Sequence, residues 1–257
     1  MSRLTIWSAF AVGLLVGSAG AAEEMDLERI EGIGPRHYIA SRTAGLLSID
    51  GKLDEPSWQR APWTEYFVDI EGEDRRQPRF STRAKMLWDD EYFYVAADLE
   101  EPHVWATLTE RDATIYHDND FEVFIDPDGD THQYYEFEIN AHGTEWDLFL
   151  VKPYRDGGPY MNAWQITGLQ TAVQVWGSIN DPGDEDQGWS VEMAFPWAVL
   201  KECAKGKSIP PQDGDQWRVN FSRVEWKVEV NGQDYVKEPG RSEDNWVWSP
   251  QGLVNMH

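Results

Sequence analysis

Residues Tyr116-His117-Asp118-Asn119-Asp120-Phe121-Glu122-Val123-Phe124-Ile125-Asp126 combine an aromatic ring, several acids and a two-residue alternation. Phe121, Val123 and Ile125 fall on one strand face, which leaves Asp120, Glu122 and Phe124 on the other. The turn Asp126-Pro127-Asp128-Gly129-Asp130 joins this stretch to residues 134–140. Glu122 should therefore share a sheet face with some of Glu136, Glu138 and Asn140. Carboxylates and an amide on one face can hydrogen-bond sugar hydroxyls. Two of Glu122, Glu136 and Glu138 could instead act as a general acid/base pair in glycoside hydrolysis. The bland alternative is a solvated face of an acidic protein.

The run Asp126-x-Asp128-x-Asp130 has the hard oxygen ligands that suit calcium, and these three aspartates are the candidate metal ligands. Its glycine stands fourth rather than sixth, and position twelve is Phe137, so it is no EF-hand; a plain turn is the competing reading. His117, His132 and His142 show no paired metal spacing, and no G-x-S-x-G, P-loop or H-E-x-x-H occurs. Most of the 14 tryptophans must be core in a domain of this size, and Trp246 and Trp248, which alternate on one face, fit either core or ligand wall. No organic cofactor is expected.

These groups must be held by strands. Residues 85–88, 92–99, 134–140, 189–195 and 217–228 carry a period of two, and Gly, Pro and Asp clusters separate them. The pattern predicts an all-β fold, an antiparallel β-sandwich of jelly-roll or immunoglobulin-like type with at most short helices, one of them after Pro196. Within 217–228 the apolar phase flips at Arg223, which predicts a bulge or edge crossing. Arg3, the apolar run from Leu4 to Val16 and the small residues Ser18-Ala19-Gly20-Ala21-Ala22 read as a cleaved secretory signal over 1–22. The run is short of the roughly 20 residues of a membrane span. Residues 23–45 read as an extended segment, and 46–257 as one domain.

The formal charge of −24 disfavours nucleic acid and anionic membranes and favours divalent cations. Export to the periplasm or the extracellular space follows from the signal, with no membrane partner after cleavage. The single Cys203 cannot form an internal disulfide.

Six stretches, "IDGKLDEPSWQRAPW", "DDEYFYVAADLEEP", "DNDFEVFIDPDGD", "YYEFEINAHGTEWD", "GWSVEMAFPWAVL" and "GDQWRVNFSRVEW", stand in an order that resembles family 9 carbohydrate-binding modules and their DOMON-like relatives, from about Ile49 to His257. The resemblance implies a calcium-compatible sandwich that binds terminal sugar units between two aromatic walls without catalysis, alongside a glycan-degrading enzyme partner. It implies Tyr116 as one wall, with Glu122 and Asn140 as hydrogen-bonding ligands. The family's Arg falls where this chain has Glu138, and an acid cannot replace a guanidinium fork. Arg111 and Arg223 are the candidate replacements. The family's later Gln corresponds to Ser222, or to Arg223 if the register shifts. The second wall is implied near Trp248-Ser249, so close to the chain's end that the domain is expected either to lack its last strand or to carry a rebuilt site. Two further readings attach to the residues: a DOMON-like haem or redox module with Met161, His142 or His117 as axial ligands, and the hydrolase described above.

Overall fold

A strand's register is fixed where burying one face forces all its apolar side chains to the same side, as the core-facing Phe121, Val123 and Ile125 show. The computed structural model describes residues 34–254; the leader read over 1–22 and the first part of the extended segment lie outside the described residues.

One sheet contains β1 (Ser41–Arg42), β3 (Thr82–Trp88), β4 (Tyr92–Glu100), β9 (Gln170–Trp176) and β10 (Gly188–Pro196), in the order β1-β3-β4-β10-β9. The other contains β2 (Val68–Asp69), β5 (Asp120–Asp126), β6 (Tyr134–Asn140), β7 (Glu145–Leu150), β8 (Tyr160–Met161), β11 (Arg218–Glu225) and β14 (Asp244–Val247), in the order β2-β14-β11-β5-β6-β7-β8. A separate hairpin joins β12 (Val228–Asn231) to β13 (Asp234–Lys237). All pairings are antiparallel except β1 with β3. The helices are short, α1 (Pro56–Arg60) and α2 (Trp197–Leu200), and the second is the one expected after Pro196. The protein is a β-sandwich.

Its core lies between the two sheets. Val95, Ala97 and Leu99 of β4 and Trp189, Val191, Met193 and Phe195 of β10 meet Phe121, Val123 and Ile125 of β5 and Phe137 and Ile139 of β6. Interiors are close-packed, so this layer fixes the spacing of everything built on its outer faces. The outer face of the first sheet is sealed by α1. Trp58 packs on Leu87, Tyr94, Ala96 and Ala194. Its indole N–H donates to Glu192 Oε1 at 2.6 Å, while Glu192 Oε2 accepts the N–H groups of Asp50 and Gly51. The outer face of the second sheet is only partly covered, and it carries the acids.

The phase flip at Arg223 is not a bulge. β11 runs in continuous register from Arg218 opposite Asp126 to Ser222 opposite Glu122, and from Ser222 opposite Val247 to Glu225 opposite Asp244. Past Ser222 the backbone N–H of Val224 is received by Asp120 Oδ1 and that of Trp226 by Asn119 Oδ1. Side chains replace the ladder to β5 there, while the pairing with β14 runs on without a break. Cys203 is buried and unpaired in a disulfide, with its backbone N–H donated to the Tyr135 hydroxyl.

Candidate functional site

Antiparallel pairing brings one side chain from each strand into a row across the second sheet's outer face. Trp146 stands opposite Glu138, Glu138 opposite Glu122, and Glu122 opposite Ser222. A parallel row places Leu148 opposite Glu136 and Glu136 opposite Phe124. Above these rows opens a cavity of about 200 Å³ lined by Tyr116, Glu122, Glu136, Glu138, Trp146, Tyr154, Val224, Glu243, Asn245 and Val254. Its volume is below the roughly 300–1,000 Å³ of drug-sized sites, the scale of a small ring rather than a large cofactor.

The walls are aromatic. Tyr116 projects from a 3₁₀ turn over Ile115–His117 with 38% of its surface exposed. Its backbone N–H donates to Glu138 Oε2 at 2.9 Å, and its carbonyl accepts the Trp226 indole N–H at 2.8 Å. Its ring lies nearly parallel to that of Trp146, with centroids 6.5 Å apart and 28° between planes. Trp146 is itself fixed by donation from its indole to Asn162 Oδ1 and by packing with Ile115, Leu148 and Leu150. Tyr154, from a 3₁₀ turn over Tyr154–Asp156, adds a second partly exposed ring.

The floor is acidic. Asp120, Glu122, Glu136 and Glu138 are all buried. Like charges directly opposite one another on a sheet repel, and Glu122 and Glu138 are such a pair. Burial first, then neighbouring carboxylates, push Asp120, Glu136 and Glu138 well above the ordinary carboxylate range. Burial pushes Glu122 up to about 7. Shared protons keep such a cluster from carrying its full negative charge. It can donate as well as accept hydrogen bonds toward a ligand.

The structure brings Tyr116 and Glu122 into this cavity and places the buried Ser222 beside Glu122 beneath it. It removes four other expected ligands. Asn140 is fully buried in a knot, where its Nδ2 donates to the Leu108 carbonyl and Asp118 and its Oδ1 accepts the N–H groups of His142 and Thr144. That leaves it no hydrogen-bonding capacity for a ligand. Arg111 pairs with Glu145 and Asp147. Both stand opposite the core-facing Ile139 and Phe137, so Arg111 serves the wrong side of the sheet. Arg223 alternates with Ser222 and thus points inward. It is 1% exposed, held by Glu101 at 2.7 Å and Glu225 at 2.8 Å, and lies against Trp246. Trp248 is core as well, packed at a tilt against Phe221 and donating its indole N–H to Glu65.

Trp146, Tyr154, Asn245 and Val254 line the cavity without having been picked out from the sequence. The alternation of Trp146, Leu148 and Leu150 against Glu145, Asp147 and Phe149 was the available signal for the first. His117, His142 and Met161 do not line the cavity.

The aspartate loop lies at the turn between β5 and β6. One carboxylate oxygen from each of Asp126, Asp128 and Asp130 lies within 4.8 Å of the others. Asp126 accepts the N–H groups of Gly129 and Thr131, and Asp130 that of His132, so the loop is also held by its own turn hydrogen bonds.

The chain belongs to the carbohydrate family 9 binding domain-like family, whose model matches residues 49–216. It is 25% identical over 219 residues to exoglucanase XynX of Acetivibrio thermocellus, covering 84% of this chain and 18% of that protein. It is 26% identical over 162 residues to endo-1,4-beta-xylanase A of Thermoanaerobacterium saccharolyticum, covering 63% of this chain and 12% of that one. The chain thus spans less than a fifth of the length of these relatives. Its fold is shared with a Bacteroides uniformis protein described as a "putative carbohydrate-binding protein", at a TM-score of 0.58 and 17% identity, over 86% of this chain and 92% of that one.

Proposed function

We propose that this domain is a non-catalytic glycan-binding module that takes one terminal sugar ring against the aromatic wall of Tyr116, Trp146 and Tyr154, over Glu122, Glu136 and Glu138. The observation that carries this reading is the pairing of aromatic walls with a buried carboxylate floor in one accessible cavity. Sugar rings present C–H faces to aromatics and hydroxyls to fixed polar groups, and this cavity offers both. Membership of the family supports the same reading. The match to parts of an exoglucanase and a xylanase supports a glycan-degrading enzyme as the functional partner. The leader pattern at the N-terminus supports export to the periplasm or beyond. Calcium at the Asp126–Asp128–Asp130 loop is supported by the convergence of three hard oxygen donors.

Affinity electrophoresis and a glycan array test the reading, with Tyr116→Ala as the discriminating variant. Binding to a glucan or xylan oligosaccharide that falls at least tenfold in Tyr116→Ala supports it. Failure to bind any soluble or insoluble glycan overturns it, and so does glycan turnover that Glu122→Gln abolishes.

A further inference from the structure

Elsewhere in the molecule a deeply buried carboxylate is met by donors or cations. Asp118 takes the Thr107 and Leu108 N–H groups, the Thr107 hydroxyl and the Asn140 amide. Glu192 takes two backbone N–H groups and an indole, and Asp186 takes the N–H groups of Val104 and Ser178. Glu225 is paired with Arg223. This is the ordinary rule for buried charge.

The cavity floor breaks the rule. Asp120 is 0% exposed, yet only its Oδ1 is used, by the Val224 N–H; its Oδ2 is buried without a hydrogen bond. Glu122, at 2% exposed, likewise has Oε2 buried without one. Glu138 supplies the third acid, with Oε2 receiving the Tyr116 N–H. One oxygen from each of these three side chains lies within 4.8 Å of the other two. The charges acting on Asp120 and Glu138 are other carboxylates. No described lysine or arginine forms an ion pair with any of the three.

We propose that Asp120, Glu122 and Glu138 form a site for one hard divalent cation, of the calcium class, at the floor of the cavity. The set is all oxygen, without imidazole or thiolate, which selects hard cations over zinc or copper. Oxygen ligands sit about 2.3–2.6 Å from calcium, so oxygens up to 4.8 Å apart can share one ion. Three carboxylates leave coordination positions open on the cavity side, because Glu122 and Glu138 both line it. Water or ligand hydroxyls complete the shell there. The cation site stands on its own geometry; only the suggestion that sugar hydroxyls complete it rests on the glycan reading.

The test uses the full mature chain stripped with EDTA. Calcium is titrated by calorimetry, and terbium by luminescence excited through indole, since Trp146 is the cross-strand neighbour of Glu138. The expected result is saturable binding that weakens at least tenfold when Glu138→Gln or Glu122→Gln is placed in the Asp128→Asn/Asp130→Asn background, each variant checked for native circular dichroism. It should persist in the double variant Asp128→Asn/Asp130→Asn, which disables the turn loop. Absence of calcium binding at millimolar concentration overturns the proposal, as does binding lost in the loop variant and kept in Glu138→Gln. Glycan binding that survives EDTA in a protein that binds no calcium sinks the cation site and leaves the glycan reading. Calcium binding with the expected variant pattern and no glycan binding sustains the cation site and sinks the glycan reading.

Discussion

Replacing Glu122 with Gln should make the metal-free domain more stable relative to wild type as pH rises. Burial holds Glu122 at about 7 in the folded chain against an ordinary value of 4.5. Between those values the unfolded chain has released a proton that the folded chain still holds. The folded state binds more protons, so stability falls with increasing pH across this window and the full penalty is present above about 7. At about 1.4 kcal/mol per pH unit, the penalty is on the order of 3 kcal/mol. Glu122 is buried, so solvent screening does not erode it. Gln has nearly the same shape and cannot ionise, and its removal of charge also relieves the repulsion felt by Glu136 and Glu138. Urea unfolding in EDTA at pH 4.5 and pH 8 measures the effect. The stability difference, variant minus wild type, should rise by about 3 kcal/mol between the two pH values. A constant offset at both pH values would reflect only the cost of burying an amide, and would refute the argument. A difference that falls with pH would refute it more strongly.

Other expectations concern residues assigned to structure rather than to the ligand. Arg223→Met leaves Glu101 buried without its cation and Glu225 with Arg79 alone, and should cost about 3–5 kcal/mol in urea unfolding, with glycan affinity of the folded fraction unchanged. Trp248→Ala should cost a similar 3–5 kcal/mol through a core cavity, again without a selective loss of binding. At Gly188, where φ is +135°, an added Cβ would meet the Leu99 carbonyl oxygen at 2.0 Å. Gly188→Ala should therefore lower the melting temperature measured by circular dichroism, with strain of at least about 1–3 kcal/mol.

Much of this architecture was legible in the residues, and the limits have physical causes. β6 runs over the predicted 134–140 because its alternation is strict and one face is core. Glu122 is legible because a single hairpin register relates it to the acids of β6, whereas Tyr116, on a 3₁₀ turn outside that register, comes only from the family resemblance. Arg223 was misread because a cation in an apolar phase looks like a break in pattern. Glu225, two residues on, shares its strand face, but the other partner, Glu101, lies 122 residues away, where no local pattern points to it. Asn140 was misplaced for a similar reason: its face was predicted correctly, but the Asp118 and Leu108 groups that consume it come from the preceding loop. Trp146 needed a second register, from β6 to β7, before its place beside Glu138 could be seen. Tyr154 and Val254 enter the cavity from segments with no strand period, where side-chain direction follows tertiary packing alone.

Nuclear magnetic resonance titration of the ¹⁵N-labelled domain with a short glucan or xylan oligosaccharide tests the central claim most directly. The account predicts that the Trp146 indole N–H and the backbone amides of Tyr116, Glu122 and Glu138 shift saturably, while the indole signals of Trp58, Trp189 and Trp248 stay in place. Saturable shifts confined to the opposite sheet, or centred on Trp248 and Arg223, would contradict it.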